Sequence, residues 1–388
     1  MNIEEKLADH LKAIPRSGIR DFFELVIGRD DVISLGVGEP DFVTPWRVRE
    51  AAILSLEKGE TSYTSNLGLL SLRDEISTYV ENFFGIKYEG ASEVLITVGV
   101  SEALDLALRA LINPGDEVIY HEPCYVSYSP SIVMAHGVAV PISTTKKDGF
   151  SLKPEALAAT ITDKTKIVML NFPTNPTGAV ASPDDLEGIA KLCVEHDLIV
   201  ITDEIYSELR YDDQEHVSIA TLPGMHERTI LMHGFSKAFA MTGFRLGYAC
   251  APPALIEAMM KIHQYGILCA PITSQIAAME ALKGGEDLYA PMKKEYHARR
   301  DFLVERLNGM GIECHLPGGA FYVFPDISKF GLSSQDFAIK LLEAEQVAAV
   351  PGNAFGECGE GFLRCCYATG MDDLKEAMTR LERFISTL

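Results

Sequence analysis

Three apolar runs of this chain, 166–170, 198–202 and 229–233, are each followed at once by side chains able to do chemistry. The first leads into residues 171–178, with Asn171 and Asn175. The second leads into Asp203 and Tyr206, and the third into Ser236 and Lys237, with Arg245 a short way on. An amine, a carboxylate, hydroxyls, an amide and a guanidinium are the groups that attack, move protons and hold anions. Singly, each has a plainer reading. Lys237 alone is a solvated amine, Asp203 a helix cap, Tyr206 a half-buried packing residue and Arg245 one half of a surface ion pair. Asn175 alone is a turn residue whose bond to Pro176 can be cis. Their order argues against five coincidences, because ligands of open parallel sheets bind beyond the carboxyl ends of the strands.

Other short signatures fail on inspection. Gly36-Val37-Gly38-Glu39-Pro40-Asp41 begins like a dinucleotide fingerprint, but it ends in Asp and Pro40 blocks a helix start there. Gly234 to Ala238 misses the serine-hydrolase elbow by its last residue. His121-Glu122 has no second His at zinc-binding spacing, and Pro176 excludes glycosylation at Asn175. The cysteines form no C-x-x-C pair, so neither a zinc site nor a disulfide framework is expected, and several read as small buried hydrophobes.

The elements that must position the constellation alternate. Apolar runs at 94–98, 117–120, 138–142, 166–170, 198–202, 229–233 and 246–250 are mostly continuous, as in strands covered on both faces. Helical segments at 101–111 and 183–196 lie between them, the second with Ser182 as N-cap and Pro183 at its first position. This predicts an α/β fold whose large domain has a mainly parallel sheet sandwiched by helices. After Pro252 long helices dominate, at 254–265, 274–283 and 288–310, followed by short strands near 321–324 and 362–366 and a last helix from 372 to about 386. The expected division is a large domain at 45–282 and a smaller α+β domain from 1–44 and 283–388.

With 34 Lys+Arg against 55 Asp+Glu the formal charge is −21, and no basic run occurs, which argues against a nucleic-acid partner. The N-terminal stretch lacks an apolar signal region, and no run of about 18 apolar residues is present, so a cytoplasmic address is expected.

Residues 236–247, Ser-Lys-Ala-Phe-Ala-Met-Thr-Gly-Phe-Arg-Leu-Gly, resemble the lysine motif of the class I aminotransferases among the fold type I pyridoxal-phosphate enzymes. Residues 171–178 and 203–206 resemble that family's other ring-binding motifs. So do 36–42, 63–68, 98–103, 123–128 and 362–369, in the family's order along nearly the whole chain. The likeness is strongest to prokaryotic aromatic and aspartate aminotransferases. It implies that Lys237 joins the aldehyde of pyridoxal 5′-phosphate and carries the substrate's α-proton. Asp203 would face the pyridine nitrogen, Tyr206 and Asn175 the ring hydroxyl oxygen, and Tyr125 the ring face. The Val100 and Ser101 amides, Ser236 and Arg245 would hold the phosphate. Tyr63 would reach the phosphate of a second subunit, which makes the chain a homodimer with shared sites. Arg364, with the Gly38 N–H and Asn175, would take the substrate carboxylate. Arg20 reads as a surface ion pair.

The resemblance therefore implies an aminotransferase working by a ping-pong cycle. The first donor choice is an aromatic L-amino acid, then aspartate or alanine, and the acceptor is 2-oxoglutarate. A β-lyase on the same scaffold is the second reading, and a non-catalytic ligand sensor a third that the charge disfavours. Phe244 stands where many relatives have Trp, Val100 where others have Gly or Ala, and no second arginine marks a distal carboxylate.

Overall fold

A computed structural model describes residues 3–12, 14, 28–29, 31–211 and 215–388. All seven apolar runs are strands of one seven-stranded sheet. Its order is Val94–Thr97, Gly247–Cys250, Thr229–Gly234, Ile199–Asp203, Thr165–Leu170, Glu117–Glu122, Val138–Ser143. Every strand but Gly247–Cys250 runs the same way; that one is antiparallel to both neighbours.

Alternation across the pleat sends successive side chains to opposite faces, and both faces are covered. Ile167 and Met169, with Val118 and Ile201, pack under Leu104, Ala107 and Leu108 of the helix Gly99–Leu111 and Met259 of Pro253–Gly266. Val168 and Leu170, with Ile119 and Val200, pack instead on Leu186, Ile189 and Cys193 of the helix Pro183–Glu195. That helix starts as its sequence demands: Ser182 accepts from the Asp185 N–H, and Pro183 fills a first-turn position where no N–H is needed.

The rest of the chain is built on smaller sheets. Tyr322–Val323, Leu363–Cys366 and Val350–Pro351 form an antiparallel three-stranded sheet, and Ile33–Ser34 pairs with Val347–Ala348 in parallel. The early segment is thus bonded to the C-terminal third. The helices Glu286–Gly309, Ser334–Glu345 and Met371–Ile385 cover these sheets through Leu303, Leu307, Leu341, Met378 and Leu381. None of the helices is long and apolar enough to cross a membrane, among the described residues.

Candidate active site

The carboxyl ends of the parallel strands open into a cavity of about 1000 Å³. Its lining includes Asn175, Asp203, Tyr206, Ser236, Lys237, Arg245, Arg364, Gly38, Val100, Ser101 and Tyr125, so the structure brings together every site residue expected from the sequence except Tyr63. Tyr63 is 83% exposed and stands on the outer surface of this single chain. Arg20 lies outside the described residues.

Each wall has its own chemistry. Lys237 follows the strand Thr229–Gly234, and its Nζ donates to the Gly38 carbonyl at 2.7 Å. It sits 5.7 Å from the Tyr206 ring and 5.6 Å from the Phe321 ring. Burial pushes its amine down to about 8, and the Arg364 charge acts in the same direction. A lysine lowered this way is uncharged above about pH 8, whereas an ordinary one stays protonated to roughly pH 10.4. In cofactor-free protein, acetic anhydride labelling of Lys237 followed by peptide mass spectrometry should reach half-maximum near pH 8. A midpoint shared with the surface lysines would show that the amine is not desolvated.

Asp203 ends the strand Ile199–Asp203 and is buried at the cavity floor. Tyr128 donates to its Oδ2 at 2.9 Å and the Ile205 N–H to its Oδ1 at 3.3 Å. Burial still pushes the carboxyl up to about 6 against both bonds. Such a carboxylate gains by facing a protonated, cationic partner. Asn171 ties this floor together. Its Nδ2 donates to the Asp203 carbonyl at 2.8 Å and its Oδ1 accepts the Asn175 N–H at 3.2 Å. The Asn175–Pro176 bond is cis.

An anion cradle closes one end. The helix Gly99–Leu111 begins with no side-chain cap at Val98, and Val100 and Ser101 of its first turn line the cavity. The Arg245 guanidinium lies over this start: a Cβ added to Gly99 would stand 2.9 Å from its Nη2. Gly247 permits the approach, since a Cβ there would meet the Val100 nitrogen at 2.6 Å. Among the described residues Arg245 pairs with no carboxylate; its Nη1 donates to the Thr242 carbonyl at 3.1 Å. The surface ion pair of its plainer reading is absent among the described residues.

Arg364, on the strand Leu363–Cys366, is 3% exposed and has no acidic partner among the described residues. Its guanidinium is sandwiched between the Tyr322 and Phe355 rings, 4.7 and 4.8 Å from their centroids. It donates to Asn175 Oδ1 at 3.0 Å and to the Gly36 carbonyl, and its Nε is buried with no partner among the described residues. A buried cation held by neutral groups is set for an incoming anion. The sequence reading missed Tyr128 and Tyr322. Tyr128 closes the 123–128 motif and was open to detection; Tyr322 lies in an apolar run that offered no signal. No three His, Cys, Asp or Glu side chains gather as a metal-ligand set among the described residues.

This lining, with a poised amine facing a buried acid, matches what comparison with known proteins returns. The profile of the family described as aminotransferase class I and II covers residues 30–381. The chain belongs to that family. This aminotransferase is 54% identical to the YugH protein of Bacillus subtilis (strain 168), over 98% of both chains. It is 44% identical to the aspartate aminotransferase of Pyrococcus abyssi, again over 98% of each. Among solved structures, the aromatic aminotransferase from Pyrococcus horikoshii OT3 superposes with a TM-score of 0.91 at 45% identity, covering 95% of this chain and 99% of that one. The aminotransferase thus has the fold type I architecture of these neighbours, and its chemistry is amino-group transfer.

Proposed function

We propose that this aminotransferase holds pyridoxal 5′-phosphate in the cavity and moves the amino group of an L-amino acid to a 2-oxo acid by a ping-pong cycle. One observation carries the reading: Lys237, a desolvated amine, shares one cavity with buried Asp203 and with Arg364, a buried cation that has no carboxylate partner among the described residues. The residues fit the cofactor's groups. The uncapped helix start, Ser236 and Arg245 suit its phosphate. Asp203 suits its ring nitrogen, Tyr206 and Asn175 its ring oxygen, Tyr125 its ring face and Lys237 its aldehyde.

When bound, the cofactor supplies an electron sink for the carbanion left on the substrate. The chain's own residues do the rest. Arg364 and Asn175 orient the donor through its carboxylate, with the Gly38 backbone beside them. The Lys237 amine takes the proton from the α-carbon, a task suited to an amine poised near neutrality. Asp203 holds a proton on the ring nitrogen, and the Tyr206 hydroxyl donates to the ring oxygen.

The donor we favour is aromatic (phenylalanine or tyrosine), with aspartate or alanine next and 2-oxoglutarate as acceptor. Relatives named for both aspartate and aromatic substrates support that choice. Among the described residues the cavity's cations, Lys237, Arg245 and Arg364, each already have a role and none is left to hold a distal carboxylate, which favours an aromatic donor over aspartate. We also propose the division into 45–282 and 1–44 with 283–388, a homodimer in which exposed Tyr63 serves the neighbour's phosphate cradle, and a cytoplasmic location.

A panel of L-amino acids with 2-oxoglutarate tests this reading. Glutamate should form with parallel initial-velocity lines, fastest with an aromatic donor. No glutamate from any donor, in protein loaded with pyridoxal 5′-phosphate, would refute it.

A further inference from the structure

Tyr322 has two contacts that link the Arg364 guanidinium to the Tyr206 hydroxyl. It stands on the strand Tyr322–Val323, opposite Cys366 in the antiparallel register with Leu363–Cys366. Residues two apart on a strand share a face, so Tyr322 and Arg364 are diagonal neighbours on the same face. The Arg364 guanidinium therefore lies 4.7 Å over the Tyr322 ring. At the far end of that ring the Tyr322 hydroxyl meets the Tyr206 hydroxyl at 2.9 Å, and both groups are buried.

One proton lies between two hydroxyls, and the surroundings decide whose it is. Among the described residues the Tyr322 hydroxyl has no other hydrogen-bond partner. The Gly38 backbone covers it, for a Cβ added to Gly38 would stand 2.6 Å from its oxygen. If Tyr322 donates to Tyr206, the Tyr206 proton is free for a cavity acceptor. If Tyr206 donates instead, the covered Tyr322 proton has no acceptor among the described residues, a costly arrangement for a buried donor.

We propose that Tyr322 is a positioning residue that directs the Tyr206 proton toward the cofactor's ring oxygen while its ring carries Arg364. This inference rests on the cofactor reading above. It makes one side chain responsible both for a donor on the ring and for the seat of the substrate-binding arginine. The charged and titratable groups around the pair are Lys237, Arg364 and Asp203, with Tyr125 and Cys366. Tyr322→Phe alters none of them.

A donor held on the ring oxygen favours the deprotonated form of the bound cofactor, so losing it raises the pH at which the cofactor's absorbance titrates. In protein loaded with pyridoxal 5′-phosphate, Tyr322→Phe should raise that midpoint by about half to one pH unit, the size of one net hydrogen bond. It keeps the ring, so KM for the donor amino acid should stay within about twofold. Tyr322→Leu removes the ring and should raise KM about tenfold. Tyr206→Phe should also raise the midpoint, and Tyr206→Phe with Tyr322→Phe should titrate where Tyr206→Phe does, because the relay ends at Tyr206.

A Tyr322→Phe midpoint equal to wild type, or shifts that simply add in the double variant, would overturn the relay and leave the cofactor reading standing. A wild-type protein that gives no cofactor absorbance overturns that reading and the relay with it.

Discussion

Lys237→Ala is expected to stop multiple turnover while leaving the protein folded. Two losses coincide in that change. On the proposed function, the change removes both the amine that joins the cofactor's carbonyl carbon and the group that carries the α-proton. Positioned proton transfer alone is worth about 10²–10⁴ in rate, so turnover should fall at least into that range with the best donor of the panel. Folding should survive because the side chain contributes little that is structural. Among the described residues its amine makes one hydrogen bond, to the Gly38 carbonyl, and its desolvation already opposes the charged form. Thermal melting separates the outcomes. Loss of turnover with an unchanged melting temperature agrees with the assignment. Retained turnover removes Lys237 from the chemistry.

Arg364→Leu carries the second large effect, and it should appear in the substrate rather than in stability. A charge-assisted hydrogen bond contributes roughly 1.5–3 kcal/mol, so kcat/KM for an amino-acid donor should fall roughly 10- to 100-fold. A donor amine with the same side chain and no carboxylate should lose almost nothing. Arg364→Lys should restore little, because a point charge cannot reproduce the planar fork held between two rings. Stability should change little, since losing the hydrogen bonds to Asn175 Oδ1 and the Gly36 carbonyl is offset by removing a buried cation that, among the described residues, faces no acid and leaves its Nε without a partner. A large drop in melting temperature, with equal losses for both kinds of donor, would mean that Arg364 serves the fold and not the substrate.

How far the sequence alone reached can be seen in particular elements. All seven strands of the large sheet are legible: six are buried along most of their length and read as apolar runs, as Thr229–Gly234 does, and the edge strand Val138–Ser143 reads as one although most of it is not buried. The start of Pro183–Glu195 was legible too, through Ser182 and Pro183. The helices Trp46–Glu57 and Leu70–Phe84 were not named in advance. Neither has a side-chain cap, and Trp46–Glu57 leaves Trp46, Ile53, Leu54 and Leu56 exposed, which blurs its apolar stripe.

The site divides in the same way. Asp203, Tyr206, Ser236 and Lys237 were visible because strand ends deliver them in order. Arg364 was reached only through its family motif, since the sandwich of Tyr322 and Phe355 is a tertiary event. The pairings of Tyr128 with Asp203 and of Tyr206 with Tyr322 join residues far apart in the chain. No local pattern encodes them.

The acidic total of −21 describes the exterior, while the cavity gathers Lys237, Arg245, Arg364 and a helix start. Borohydride reduction reads out whether Lys237 is the amine that bonds to the cofactor. Protein loaded with pyridoxal 5′-phosphate, reduced with borohydride and digested, should yield one stable adduct per chain on the peptide that contains Lys237. An adduct on another lysine, or none, would contradict the account.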